Sequence, residues 1–325
     1  MNIRSSPKYI RTLTWTHHHT TAQFNCDIGR VPQNKKKILL NALKERKQII
    51  HLFLPLQSDS RERCALSAVN MSHKSSSVVS GSKAGGGAVE FGRTHVVRPK
   101  GKHQATIVWL HGLGDNGASW SQILETLPLP NIKWICPTAP VRPVSIFGGF
   151  PSTAWFDVGD LSEDGPDDVE GIDSSAAHVA KLLSTEPTNI KLGVGGFSMG
   201  AATALYSATC SAHGRYGNGN PYAVILSAVV GLSGWLPCSK SLKNKLEGLE
   251  EAVRRAASLP IFLCHGKGDD VVLYKHGERS AEALRSNGFQ NLTFKSYDRL
   301  AHYTIPEEMN DVCDWLKASL ELEGV

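Results

Sequence analysis

The chain has 325 residues, 41% of them apolar, and a formal net charge of +5, ordinary values for a soluble globular protein. No uninterrupted apolar run is long enough to span a bilayer, and the basic N-terminus lacks the apolar core of a secretory signal. Seven cysteines, odd in number, scattered and without a C-x-x-C pair, argue against a disulfide framework and a structural zinc site, and point to a reducing, cytoplasmic setting.

Residues 1–90 differ from the rest and are expected to form a disordered extension. The positive excess lies almost wholly in residues 1–60, and the remainder is close to neutral. The stretch 37–54 interleaves Ile38, Leu39, Leu40, Leu43, Ile49, Ile50, Leu52, Phe53 and Leu54 with basic residues. It reads as a non-folding extension, the alternatives being an amphipathic membrane-surface helix and a transit-like leader that directs the protein to an organelle. The run His17-His18-His19 is too compact to build a metal site without partners. Residues 71–89 are Ser/Gly-rich and read as a flexible linker. Met71, which opens it, is a candidate for the native N-terminus.

From Glu90 onward apolar, β-branched runs alternate with helical ones, the pattern of a mainly parallel sheet with helices on both faces. Strands are predicted over 94–97, 105–110, 132–136, 190–195, 223–232, 260–264 and 292–297. Helices are predicted over 119–126, 171–185, 199–211, 275–287 and 306–322. Several strand runs are almost wholly apolar, as burial on both faces requires. Residues 91–325 thus form one α/β domain, ample for a large core.

The string Gly196-Phe197-Ser198-Met199-Gly200 falls between a strand and a helix. That context suits a nucleophile elbow, a sharp strand-to-helix turn that exposes a serine hydroxyl beside a helix N-terminus. Serine needs a histidine to take its proton and a carboxylate to orient that histidine. In this architecture the chain order is Ser, acid, His. Asp269 and Asp270, in the loop after 260–264, are both candidates for the acid. His302, on a loop between the last strand and the last helix, is the candidate base. His265 reads as a structural loop histidine, His276 as a helix residue, and His213 as part of a Gly-rich insertion. The backbone N–H of Met199 supplies one oxyanion donor, and the loop His111-Gly112-Leu113-Gly114-Asp115 supplies the other. Ile146, Phe147, Phe150, Pro151 and Trp155 are expected in a lid loop that touches substrate. The pairs Glu163-Asp164 and Asp167-Asp168 are expected as a solvated helix start.

His111-Gly112-Leu113-Gly114-Asp115, Ile135-Cys136-Pro137-Thr138-Ala139-Pro140-Val141-Arg142-Pro143-Val144, Trp155-Phe156-Asp157, the elbow, Cys264-His265-Gly266 with Asp269, and His302 together resemble the acyl-protein thioesterase and lysophospholipase-like carboxylesterase family, in its plant form. The resemblance covers residues 94–320. It implies an α/β-hydrolase fold and a cytosolic serine hydrolase of acyl thioesters and esters. By matched position it implies Ser198 as nucleophile, Asp269 as acid, His302 as base, and the amides of Leu113 and Met199 as oxyanion donors. Substrates would be S-acylated proteins, or small esters and lysolipids, with transient contact at a membrane surface. No metal, cofactor or nucleic acid is expected. Met199 stands where family members often have Gln, and the insertion 213–221 departs from animal-type members; both bear on substrate choice. The competing reading from another class is a non-catalytic ligand-binding hydrolase fold, which normally has a broken triad.

Overall fold

The computed structural model describes residues 89–323 except 160, 162–164 and 247–248, together with 10–16 and 23–28. In the N-terminal part, β1 (Ile10–Thr16) and β2 (Gln23–Ile28) pair antiparallel, two strands that the sequence reading of 1–90 does not contain. The stretch 37–54, the three consecutive histidines and Met71 lie outside the described residues.

The body follows in chain order as β3 (His95–Val97), β4 (Ala105–Leu110), α1 (Gly117–Glu125) and β5 (Ile132–Cys136). Then come β6 (Val141–Val144), β7 (Phe150–Thr153), α2 (Val169–Leu183), β8 (Lys191–Phe197) and α3 (Met199–His213). The C-terminal half holds β9 (Ala228–Leu232), α4 (Ser239–Leu246), α5 (Glu250–Ser258), β10 (Ile261–Gly266), α6 (Tyr274–Ser286), β11 (Leu292–Tyr297) and α7 (Pro306–Ser319). Seven strands form one sheet in the order β11-β10-β9-β8-β4-β5-β3. Every neighbour pair is parallel except edge strand β3, which runs antiparallel to β5.

Each residue of β4, β9 and β10 is buried. Side chains alternate between the two faces: Val108 and Leu110 pack with Ile172 and Leu205 on one side, Ile107 and Trp109 with Trp120 and Leu316 on the other. Burying each such side chain contributes roughly 1.5–3 kcal/mol, so both helical layers are held by the same strands. Helix starts follow their sequence signals. Asn116 accepts from the N–H of Ser119 at 3.1 Å to cap α1. Asp168 accepts from Gly171 at 2.9 Å to cap α2, as the acidic helix start implies; Glu163 and Asp164 lie outside the described residues.

Helices predicted over 119–126, 171–185, 199–211, 275–287 and 306–322 correspond to α1, α2, α3, α6 and α7. The expected strand over 223–232 is confined to Ala228–Leu232. Residues ahead of it hang on α3 instead of pairing: the Ser211 hydroxyl donates to the Val224 carbonyl at 3.0 Å and accepts from the Leu226 N–H at 3.1 Å. Helices α4 and α5 and the separate β6–β7 ribbon are further elements, each too short to stand out from the chain around it.

Candidate active site

The C-terminal ends of β4, β8 and β10 bring the predicted residues to one place. Strand β8 stops at Phe197 and α3 begins at Met199, so Ser198 alone makes the turn, with φ 57° and ψ −121°. This left-handed conformation is strained for a residue with a Cβ, by about 1–3 kcal/mol. The turn is held by the Ser198 N–H, which donates to the Leu232 carbonyl at 2.8 Å. Glycine is required at position 200 by contact alone: a Cβ there would stand 2.1 Å from the Leu110 carbonyl oxygen.

His302 Nε2 lies 2.9 Å from Ser198 Oγ, and His302 Nδ1 lies 2.7 Å from Asp269 Oδ2. All three side chains are buried, with 8%, 5% and 4% of the Ser198, His302 and Asp269 residues exposed. Asp269 Oδ1 also accepts from the backbone N–H groups of Val271 and Val272, both at 2.9 Å. Asp270 is exposed, whereas Asp269 is buried and in contact with His302, so the geometry assigns Asp269 from the two aspartates that the sequence leaves open. The acid and base loops are fastened backbone to backbone. Lys267 N–H donates to Tyr297 and Gly268 N–H to Leu300, both at 2.9 Å. A Cβ on Gly266 would meet the Leu300 carbonyl oxygen at 2.1 Å, so the close approach of the loops needs glycine there.

Leu113 and Met199 line the same cleft as Ser198 and His302. Met199 opens α3, and its N–H is among those a helix leaves unbonded at its N-terminus. Leu113 follows Gly112, whose carbonyl is gripped by His111 Nδ1 at 2.7 Å. The tautomer follows from the other nitrogen: Nε2 accepts from the Ala139 N–H at 3.0 Å, so the proton sits on Nδ1 and is donated to Gly112. Burial pushes the His111 pKa down, keeping the ring neutral for this arrangement, against opposing effects of Gly112 and Asp115.

Residues 92–320 match the phospholipase/carboxylesterase family model. The chain belongs to that family. The crystal structure of Zea mays acyl-protein thioesterase 2 is 76% identical, with a TM-score of 0.70, covering 70% of this chain and 99% of that one. The Cryptococcus neoformans acyl-protein thioesterase 1 is 31% identical over 247 residues, 69% of this chain and 96% of its own length. The crystal structure of Arabidopsis thaliana SOBER1 is 28% identical, with a TM-score of 0.56, covering 67% of this chain and 99% of that one. The chain is a hydrolase of the carboxylesterase and acyl-protein thioesterase family, with the α/β-hydrolase fold.

Within this phospholipase/carboxylesterase chain the cleft over Ser198 measures about 80 Å³ and is walled by Ile146, Phe147, Val158, Leu161, Trp235, Val271 and Val272. Ile146 and Phe147 stand where the lid reading expects them. They are fixed by the Ile146 N–H donating to Val158 at 2.8 Å and the Ser145 N–H donating to Asp157 at 2.7 Å. Phe150 and Trp155 do not line the cleft. Phe150 follows Gly148 and Gly149, both at positive φ, at the ribbon tip, and is 45% exposed. Trp155 is fully buried, and its Nε1–H donates to the His111 carbonyl at 2.8 Å. It braces the His111 end of the loop that carries Leu113, away from the cleft. Trp155→Phe is therefore expected to lower kcat several-fold with KM nearly unchanged, and to cost about 1–3 kcal/mol of stability by stranding a buried carbonyl. Steady-state kinetics with thermal unfolding checks this; a change in KM alone contradicts it.

Val158, Leu161, Trp235, Val271 and Val272 were not anticipated as cleft residues. Only the Val271-Val272 pair carries a signal, two apolar residues directly after the two aspartates. A larger cleft of about 140 Å³ lies beyond Val158, Leu161 and Trp235, but it contains none of the three hydrogen-bonded residues. The insertion at 213–221 does not reach the site. It is tied to α2 by Asp173, which accepts from the N–H groups of Gly217 and Asn218, both at 2.8 Å, and from the Tyr206 hydroxyl at 2.6 Å. Cys136, Cys264 and Cys313 are free thiols in the core, as their apolar context suggests. Burial pushes Cys136 up to about 12 and Cys313 up to about 11, which leaves them inert.

One buried carboxyl stands near Asp269 without a hydrogen-bond partner. Glu308, in the first turn of α7, is 0% exposed, and neither of its oxygens makes a hydrogen bond. Burial, then the charges of Asp311 and Asp269, push its pKa up to about 8; the nearby Ile305 N–H opposes this only in part. With none of the donors that Asp269 has, Glu308 keeps its proton at neutral pH.

Proposed function

We propose that this chain hydrolyses acyl thioesters, above all S-acyl groups on proteins, through an acyl-enzyme on Ser198. The observation that carries the reading is the Ser198–His302–Asp269 relay, with contacts of 2.9 and 2.7 Å, at the floor of an apolar cleft. His302 Nε2 takes the hydroxyl proton as Ser198 Oγ attacks the thioester carbonyl. Asp269, held by the Val271 and Val272 amides, keeps the imidazole proton on Nδ1 and stabilises the imidazolium. The N–H groups of Leu113 and Met199 bind the oxyanion, each worth roughly a hundredfold in rate. The imidazolium then gives its proton to the leaving thiol. Water, activated by His302, attacks the acyl-enzyme and releases the carboxylic acid. The apolar walls favour the acyl chain, and the leaving group faces the open mouth.

A second reading, hydrolysis of small esters or lysolipids, is supported by the phospholipase/carboxylesterase match over 92–320. An S-palmitoyl peptide, a lysophosphatidylcholine and p-nitrophenyl esters of increasing chain length, compared by kcat/KM, separate the two. Preference for the thioester by tenfold or more is expected. Preference for the lysolipid or a short ester assigns the second reading.

A further inference from the structure

His265 is the next-to-last residue of β10, just before the acid loop, and only 1% of it is exposed. It is a strand residue, not the loop histidine that its Gly-rich surroundings suggest. Its Nε2 stands 2.7 Å from the Val272 carbonyl and 3.5 Å from Asp269 Oδ2. A carbonyl only accepts, so Nε2 carries the proton and donates it to Val272, with Asp269 close by but outside hydrogen-bond geometry. The Val272 residue is thereby used twice. Its N–H donates to Asp269 Oδ1 at 2.9 Å, and its C=O accepts from His265. Its side chain, with that of Val271, forms part of the cleft wall. From the other side α6 presses on the ring: a Cβ on Gly277 would stand 2.5 Å from His265 Nδ1, and the Tyr274 ring meets it edge-on at 6.0 Å.

We propose that His265 is a positioning residue that sets the 269–272 turn, placing Asp269 against His302 and Val271–Val272 against the acyl chain. The proposal rests on the hydrolase reading above and deepens it, because one buried imidazole then governs both the relay and the shape of the cleft. The groups facing the ring are Asp269 and His302 from the relay and Glu278 from α6. Burial is the largest effect on its pKa and pushes it down; His302 acts in the same direction, while the Val272 carbonyl, Asp269 and Glu278 oppose. The ring is neutral while the relay works, and acts as a donor and not as a charge.

The test compares His265→Leu, which keeps bulk without a donor, with His265→Gln, whose amide N–H can replace Nε2–H. For H265L, kcat on p-nitrophenyl butyrate is expected to fall 10- to 100-fold. The acidic limb of its kcat/KM profile, which reports His302 protonation, is expected to move up by about half a pH unit, because the Val272 N–H is no longer held against Asp269 and the less well bonded carboxylate favours the imidazolium. The ratio of long-chain to short-chain turnover is expected to change as the Val271–Val272 wall loosens. H265Q is expected to recover most of kcat and the wild-type limb. A folded H265L with wild-type kcat and an unmoved limb, whatever its melting temperature, overturns the proposal. If H265L does not fold, Gly277→Ala displaces the same ring from α6; an unchanged pH profile there overturns it equally. Failure of the underlying reading looks different, since wild type itself then shows no turnover that depends on Ser198.

Discussion

Replacing Ser198 with alanine is expected to lower kcat on an acyl ester by on the order of a millionfold, with a native circular-dichroism spectrum. The size of the loss follows from the covalent route. Without Oγ there is no acyl-enzyme, and His302 and Asp269 have nothing to activate. What survives is whatever the Leu113 and Met199 amides and the apolar cleft provide to attack by water, a residual of roughly 10³–10⁴ over solution. The fold should tolerate the change. The Ser198 backbone is strained with φ 57° whether the side chain is serine or alanine, and its fixing bond to Leu232 comes from the main chain. The hydroxyl's contact with His302 lies at the floor of the open cleft, so water can replace it. Steady-state kinetics and spectroscopy on the purified variant check both halves. Activity within tenfold of wild type contradicts the role assigned to Ser198.

Glu308→Gln is expected to stabilise the protein, and to do so more as pH rises. In the unfolded chain Glu308 titrates near its ordinary value of 4.5, whereas in the fold it is pushed up to about 8. Below pH 4.5 both states hold the proton and there is no penalty. Between the two values the folded protein keeps a proton that the unfolded chain has released, so unfolding becomes easier by about 1.4 kcal/mol per pH unit. By pH 8 the accumulated loss is several kcal/mol, a large share of a typical domain's stability. Glutamine has the shape of the neutral acid and does not titrate, so it removes that slope. Urea unfolding at pH 5, 6, 7 and 8 should give nearly equal stabilities at pH 5 and a gap that widens steadily. Parallel stability curves for the two proteins contradict the buried-acid assignment.

The relay was legible in the sequence because its parts are tied to strand ends. A serine between a strand and a helix, an aspartate after the next-to-last strand and a histidine after the last have one spatial solution in this sheet. The pair Asp269 and Asp270 shows where that legibility stops. Nothing in their local chemistry distinguishes them, and the choice comes from tertiary contact: Asp269 is buried, bonded to His302 and held by two backbone amides, while Asp270 is exposed. Trp155 and Phe150 show the same limit for the lid. Their apolar character was visible, but a ribbon tip bent by two glycines turns one outward, and the core takes the other to brace His111. His265 was misplaced because Gly266 and Gly268 beside it look like loop. In fact Gly266 is the last residue of β10, and it is glycine because the base loop crosses it. The two short helices after β9 carry few apolar residues, and tertiary contact with α3 holds α5 in place: the Arg255 side chain donates to the Ala212 carbonyl at 2.9 Å.

The most direct test of the account is to quench the wild-type protein during turnover of an S-palmitoyl peptide and map the acylated residue by mass spectrometry. The account predicts a palmitoyl adduct on the peptide containing Ser198, absent from the Ser198→Ala variant. Turnover with no adduct, or with an adduct on any other residue, would contradict it.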